Sequence, residues 1–308
     1  MHKVLIAPTT FSLYNDQPMD LLKKNGFDII KNEWGQKLSA SQLVDLCRDC
    51  NAVIAGTEIY NKVVLNQLSD LKVISRLGVG MDNIDLEVVR QKNIKIYKTT
   101  TTPAPAVAEL VLGLMINLAR NISTSDKSLK NGIWKKEMGC LIQGKTLGII
   151  GLGTIGKNLV KLVKGLNFKI LANDLFHDDK FAKEYEVNYC DIDTLLAQSD
   201  MISIHLNLTT ETYDLINKER IALLNPECIL INTSRGEIID EAALYIALKE
   251  RKILGAGLDV FNKEPYSGIL TTLDNVVLTP HIGSYARELR IQMEIETEEN
   301  LIRGLNEL

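Results

Sequence analysis

The stretch from Gly144 to Val163, Gly-Lys-Thr-Leu-Gly-Ile-Ile-Gly-Leu-Gly-Thr-Ile-Gly-Lys-Asn-Leu-Val-Lys-Leu-Val, limits what this chain can fold into more than any other. A turn and an apolar strand, Thr146–Ile150, lead into Gly151-x-Gly153-x-x-Gly156. Ile155, Leu159, Leu162 and Val163 then recur at helical spacing. Gly151 allows the tight strand-to-helix turn, Gly153 lets the backbone approach a pyrophosphate, and Gly156 lets helix and strand pack closely. The N–H groups at the helix start face the anion, with the helix dipole behind them. Three glycines alone are equally compatible with a plain turn, so the context decides. A second apolar run, from Phe168, ends in Asp174, 18 residues after Gly156. An acid there accepts both adenosine-ribose hydroxyls and repels the extra phosphate of NADP. Strand, glycines, helix, strand and acid in this order predict a dinucleotide-binding domain with NAD as cofactor.

A chain of 308 residues exceeds one ordinary domain, which predicts two. Its 45% hydrophobic and 24% charged residues match a globular protein. With a net charge of −4 and no basic stripe, nucleic acid is excluded as a partner. The apolar run near Met1 is too short for a signal peptide, and no segment reaches the roughly 18 apolar residues of a membrane helix. A cytoplasmic protein with no membrane partner is expected. The five cysteines are scattered, as reduced thiols are. Cys47-Arg-Asp-Cys50 sits late in a helical pattern, without a second such pair or a nearby histidine. It reads as helix-end packing rather than a redox or metal pair, and no metal site is expected.

Along the first hundred residues the strand-like runs Lys3–Ala7, Phe27–Lys31, Ala52–Ala55 and Lys72–Arg76 alternate with the helical stretches Met19–Asn25, Ser41–Cys50 and Lys62–Leu68. Such alternation predicts a parallel sheet flanked by helices. Ser75-Arg-Leu-Gly-Val-Gly-Met-Asp-Asn-Ile-Asp85 closes this region. Gly78 and Gly80 stand at a strand end, where the loop is either an anion cradle or a plain connection. Prolines 103 and 105 mark an extended crossing from Lys98 onward, followed by a long helix, Ala106 to about Arg120. Beyond the glycine stretch, strands are expected at Lys169–Ala172, Met201–Leu206, Cys228–Asn232, Ala256–Val260 and Val276–Leu278, making six with Thr146–Ile150. A last helix, Tyr285 to about Leu305, lies outside that set. The reading is an α/β protein of two Rossmann-like or flavodoxin-like parallel-sheet domains. Residues 1–99 plus 284–308 form a discontinuous substrate domain, into which the NAD-binding domain, residues 100–283, is inserted.

Three polar residues follow strand ends in the second half: Arg235, Glu264 and His281. A histidine exchanges protons near neutral pH, a carboxylate orients it, and an arginine grips a carboxylate bidentately. Taken singly, each has a plainer reading: a surface ion pair, a loop acid, a packed core histidine. Their shared place on one edge of the nucleotide domain argues for a site.

With these motifs the chain resembles a D-isomer-specific 2-hydroxyacid dehydrogenase over nearly its whole length. The resemblance is carried by Ser75–Asp85, Pro103–Glu109, Gly132-x-Trp134, Gly151–Gly156 with Asp174, His205–Thr212, Asn232–Gly236, Leu258–Pro265 and Pro280–Ser284. It implies that His281 takes the hydroxyl proton as the C2 hydride moves to nicotinamide, that Glu264 pairs with His281, and that Arg235 holds the substrate carboxylate and polarises the C2 oxygen. Backbone N–H groups around Val79 and Gly80 would assist. Asp259 and the Thr233 carbonyl would hold the nicotinamide carboxamide. Thr154 and Ile155 would give N–H groups to the pyrophosphate, Thr212 a hydroxyl, and His205 would lie near the adenosine. Closure about Thr99–Pro103 and Gly283–Ser284 would exclude water. The substrate would be a small D-2-hydroxy acid or its 2-keto acid, with 3-phosphoglycerate or a related acid among the candidates, and a homodimer would form through the Ala106–Arg120 helix.

The pattern is closest to the phosphoglycerate dehydrogenase branch, without that branch's C-terminal regulatory domain. That branch usually puts a basic residue in the loop after the third strand; here Ala55-Gly-Thr-Glu58 offers an acid that would repel a phosphate, with Arg76 as the remaining cation. After His205 the family's usual proline is replaced by Leu206-Asn207. The alternative is an NAD(H)-sensing scaffold like the corepressors that share this fold, for which the Arg, Glu and His set has no use.

Overall fold

Four-residue apolar runs alternating with amphipathic runs dictate parallel strands joined by helical crossovers. The computed structural model describes all 308 residues, and the chain divides into two compact units, Met1–Pro103 with Tyr285–Leu308, and Ala104–Ser284.

The first unit begins with β1 (Lys3–Ile6), α1 (Gln17–Lys24), β2 (Asp28–Lys31), α2 (Ala40–Cys47), β3 (Ala52–Ala55), α3 (Lys62–Asn66), β4 (Val73–Arg76), α4 (Leu86–Gln91) and β5 (Lys95–Lys98). The strands form one parallel sheet in the order β2-β1-β3-β4-β5, the flavodoxin-like arrangement. β3 and β4 are buried at every position because helices cover both faces. Leu5, Val53 and Ile74 belong to one face's core, and Val4, Ile54 and Val73 to the other's. Ser39 opens α2 with a capping box to Gln42, and Asn61 and Asp85 cap α3 and α4. Cys47 and Cys50 are buried free thiols at the end of α2. β5 is a strand that the sequence pattern hid, because its Lys-Ile-Tyr-Lys run is short and charged at both ends.

The second unit contains α5 (Ala104–Ala119), α6 (Ile122–Lys130), β6 (Thr146–Ile150), α7 (Thr154–Leu162), β7 (Lys169–Asn173), α8 (Asp179–Tyr185), β8 (Val187–Tyr189), α9 (Ile192–Gln198), β9 (Met201–Ile204), α10 (Lys218–Ile221), β10 (Ile229–Asn232), α11 (Glu241–Lys249), β11 (Gly255–Leu258) and β12 (Val276–Leu278). Its sheet is wholly parallel, ordered β12-β11-β10-β9-β6-β7-β8, with the reversal between β6 and β9. Seven strands are present where six are expected from the sequence. The extra one, β8, has only three residues, too few for a periodic signal. α5 buries Val107, Val111, Leu114 and Met115 in the core shared with β6 and β10. No single helix is long and apolar enough to cross a membrane; α5 and α6 meet that test only together, across a 62° bend.

The final helix, α12 (Arg287–Asn306), belongs to the first unit and packs on β3, β4 and β5. Ser75 donates to the Thr297 carbonyl at 2.6 Å. Its buried face is unusually polar: Arg290 pairs with Glu294 at 2.9 Å, and Glu294 also accepts from the Ser12 N–H at 3.0 Å. Glu296 accepts from the Thr100 N–H and hydroxyl at 2.6 Å and from the Thr101 N–H at 2.9 Å. Burial pushes the Glu296 carboxyl up, but these hydrogen bonds outweigh it and bring the pKa down to about 2. Glu298 is the opposite case. Both its carboxyl oxygens are buried without a hydrogen-bond partner, and desolvation, with the Glu299 charge adding to it, raises its pKa to about 8.

Candidate active site

Strand register brings the expected site residues of the second unit into one row. Ile150 pairs with Asn173 on one side and Ile204 on the other; Asn232 pairs with Ile204 and Leu258, and Leu258 with Leu278. The next residue along each strand is therefore Asp174, Gly151, His205, Thr233, Asp259 and Thr279. These six stand side by side at the carboxyl edge, spanning about 24 Å at the usual strand spacing. The carboxyl edge at the strand-order reversal is where open α/β sheets bind ligands.

At the reversal, Gly151 has φ +93°, and a Cβ there would lie 2.7 Å from the His205 carbonyl oxygen. A Cβ on Gly156 would lie 2.7 Å from the Gly151 oxygen, which explains the close approach of α7 to β6. The space above Gly153 is open. Gly153 is the N-cap of α7 and supplies no side chain, so the Thr154 and Ile155 N–H groups at the helix start keep their donor capacity. Asp174 accepts from the Leu152 N–H at 2.7 Å and from the Phe176 N–H at 2.9 Å, one on each oxygen, which leaves each oxygen able to accept again. An anion cradle beside an acid with spare acceptor sites fits the pyrophosphate and ribose diol of NAD.

Two atoms in the row are buried without a hydrogen-bond partner, His205 Nδ1 and Thr233 Oγ1. The other His205 nitrogen meets Ser203 Oγ at 2.9 Å, and burial brings the pKa of the ring down to about 3, so it is neutral. Thr212 closes its own loop instead of pointing outward: its hydroxyl accepts from the Thr209 N–H and meets the Asn207 carbonyl, both at 2.7 Å.

His281 and Glu264 meet directly, with His281 Nδ1 3.0 Å from Glu264 Oε2 and 3.2 Å from Oε1. The imidazole is 36% exposed and the carboxylate 23%, so the pair is held by protein but open to a ligand. Arg235 lies on the loop after β10, and that loop is shaped by Asn232, a residue to which the sequence reading assigned no role. Asn232 donates to the Arg235 carbonyl at 2.8 Å and accepts from the Ser234 N–H at 3.0 Å. Arg235 Nη1 donates to the Ser234 carbonyl at 2.7 Å. A Cβ on Gly236 would lie 2.0 Å from the Phe261 carbonyl carbon, so the Arg235 loop is pressed against the segment leading to Glu264. Asp259 is fully buried. It accepts from Thr279 Oγ1 at 2.5 Å and from the Ile282 and Gly283 N–H groups, each at 2.8 Å.

In the first unit, Val79 is exposed and Gly80 half-buried, and neither N–H takes part in the loop's backbone hydrogen bonds. Two expectations are corrected there. Glu58 is buried rather than facing a ligand: it accepts from the Gly56 N–H at 2.8 Å, and Asn83 clamps its carbonyl at 2.6 Å. Arg76 is likewise buried, with Nη1 donating to the Leu77 carbonyl and the guanidinium packed where a Cβ of Gly78 would sit. Both side chains hold the loops that carry them, which no sequence pattern reports.

Residues 112–283 match the family model described as the NAD-binding domain of D-isomer-specific 2-hydroxyacid dehydrogenases. The chain is 40% identical over 271 residues to a glyoxylate reductase of Thermococcus litoralis, covering 84% of this chain and 82% of that one. It is 43% identical over 242 residues to a hydroxypyruvate reductase of Thermotoga maritima, covering 77% and 78%. Against a D-3-phosphoglycerate dehydrogenase of Archaeoglobus fulgidus the identity is 36% over 305 residues, 97% of this chain but 56% of that protein. Among solved structures, a putative D-3-phosphoglycerate dehydrogenase oxidoreductase from Ralstonia solanacearum superimposes with a TM-score of 0.90 at 25% identity, covering 100% of this chain and 95% of that one.

Proposed function

This chain belongs to the D-isomer-specific 2-hydroxyacid dehydrogenase family, and we propose that it moves a hydride between NAD and C2 of a small, unphosphorylated D-2-hydroxy acid or its 2-keto acid. The observation that carries the chemistry is the 3.0 Å contact of His281 with Glu264 beside the row of cofactor residues. NAD supplies the hydride donor or acceptor at its nicotinamide ring. His281 exchanges the hydroxyl proton at C2, and Glu264 fixes the ring orientation. Arg235 holds the carboxylate and polarises the C2 oxygen. Thr154 and Ile155 face the pyrophosphate, Asp174 the ribose, and His205 the adenosine side. The Thr233 carbonyl and Asp259 hold the carboxamide.

Charge selects the substrate class. The loops after β1, β3 and β4, residues 7–16, 56–61 and 77–85, contain no lysine or arginine. Arg76, at the end of β4, is buried in its own loop, and Arg290 is spent on Glu294. A phosphate placed there would lose water without gaining a cation, which costs at least about tenfold in kcat/KM. The relatives named glyoxylate and hydroxypyruvate reductase support this choice, while those named D-3-phosphoglycerate dehydrogenase point to the phosphorylated acid, which the assay below separates. A homodimer is part of the proposal: α6 has no buried residue, and Ile122, Leu129, Trp134, Met138 and Leu141 expose an apolar band next to α5.

The test is NADH oxidation against glyoxylate, hydroxypyruvate, pyruvate and 3-phosphohydroxypyruvate. Turnover of a small unphosphorylated member, lost in His281→Ala with NADH affinity retained, is expected. Silence across the panel, or preference for the phosphorylated acid, would reject this function.

A further inference from the structure

His281 has φ +55°, in the left-handed region. Such a backbone is disfavoured for a residue with a Cβ. Elsewhere in the chain Asn93, Asn167, Glu186 and Arg251 adopt it where each ends a helix and closes its last turn, Asn121 adopts it between α5 and α6, and Ser12 and Asp214 adopt it in loops. His281 ends no helix. It follows β12, and something else holds it.

Asp259 does so. Its carbonyl accepts from the His281 N–H at 2.9 Å, its Oδ1 from the Ile282 N–H at 2.8 Å, and its Oδ2 from the Gly283 N–H at 2.8 Å. Three consecutive N–H groups thus converge on one residue, and the turn at His281 makes a small backbone nest for a carboxylate. Thr279 completes the arrangement, its hydroxyl donating to Asp259 Oδ1 at 2.5 Å and fixing the carboxylate's rotation. Gly283 leaves little slack, since a Cβ there would lie 3.2 Å from Asp259 Oδ2. Burial raises the Asp259 pKa, and the Thr279 hydroxyl and the Ile282 and Gly283 N–H groups work against that rise.

We propose that Thr279 is a positioning residue: through Asp259 it braces the left-handed backbone of His281 and so sets where the imidazole stands. The inference rests on the proton-exchange role of His281. The Thr279 hydroxyl donates to Asp259 Oδ1, so it acts on His281 through Asp259. A loosened brace lets the ring wander, and a displacement near 1 Å costs on the order of 10²-fold in rate.

Thr279→Val removes the hydroxyl and keeps the shape, and Thr279→Ser restores the hydroxyl. With the best 2-keto acid of the panel, Thr279→Val is expected to lower kcat about 10- to 100-fold, and Thr279→Ser to recover kcat. A second readout needs no turnover and no change in melting point. The chain has four histidines, His2, His177, His205 and His281. In ¹⁵N-histidine spectra the ring signals of His281 alone are expected to move or double in Thr279→Val and to return in Thr279→Ser. Unchanged kcat together with unchanged His281 signals in Thr279→Val, or a Ser variant that behaves as Val does, would overturn the brace. If wild-type protein reduces no keto acid, the proposed function fails, and the ring signals still decide the brace.

Discussion

Glu298 offers the sharpest quantitative test of the fold. It sits in α12 with both oxygens buried and unpartnered, and its pKa is raised from 4.5 to about 8. Between those values the folded chain keeps a proton that the unfolded chain has released, so stability falls as pH rises through that window and levels off above it. At about 1.4 kcal/mol per pH unit the loss reaches about 3 kcal/mol at pH 7 and about 5 kcal/mol above pH 8. Glu298→Gln has nearly the same shape and no charge to release. Urea unfolding would be followed by Trp34, which lies in the first unit, in a Trp134→Phe background that silences the chain's other tryptophan. The variant is expected to match wild type near pH 4.5 and to exceed it by a few kcal/mol at pH 9. An equal gap at pH 5 and pH 9 would refute the reasoning, because Glu298 would then be titrating as an ordinary glutamate.

Two further outcomes follow from contacts already described. Gly156→Ala places a methyl 2.7 Å from the Gly151 carbonyl oxygen, so it is expected to weaken NADH binding at least about tenfold and to cost about 1–3 kcal/mol of stability, measured by fluorescence titration and urea unfolding. Glu264→Gln removes the charge that orients His281 and is expected to lower kcat on the order of 10²-fold with little change in NADH affinity, measured by steady-state kinetics.

The sequence carried the framework because parallel strands buried on both faces, such as Ala-Val-Ile-Ala at β3, write themselves as apolar runs, and because the glycine spacing has one mechanical reading. β5 and β8 were hidden for the opposite reason, being short, charged or at an edge. Arg235, Glu264 and His281 were legible as residues standing just past strand ends. What ties them in place was not. Asp259 and Thr279 are twenty residues apart in the chain and become neighbours only through the pairing of Leu258 with Leu278. The burial of Glu58 and Arg76 is likewise a tertiary fact: each turns back on its own loop, while the sequence shows only an acid and a base near a strand end.

The most direct test of the account follows the hydride itself. The protein would be given hydroxypyruvate and NADH carrying deuterium at the transferable position of the nicotinamide, and the glycerate would be recovered. D-glycerate labelled at C2 is expected, and none with His281→Ala. A chain that binds NADH yet delivers no deuterium to C2 of this or any other 2-keto acid would contradict it.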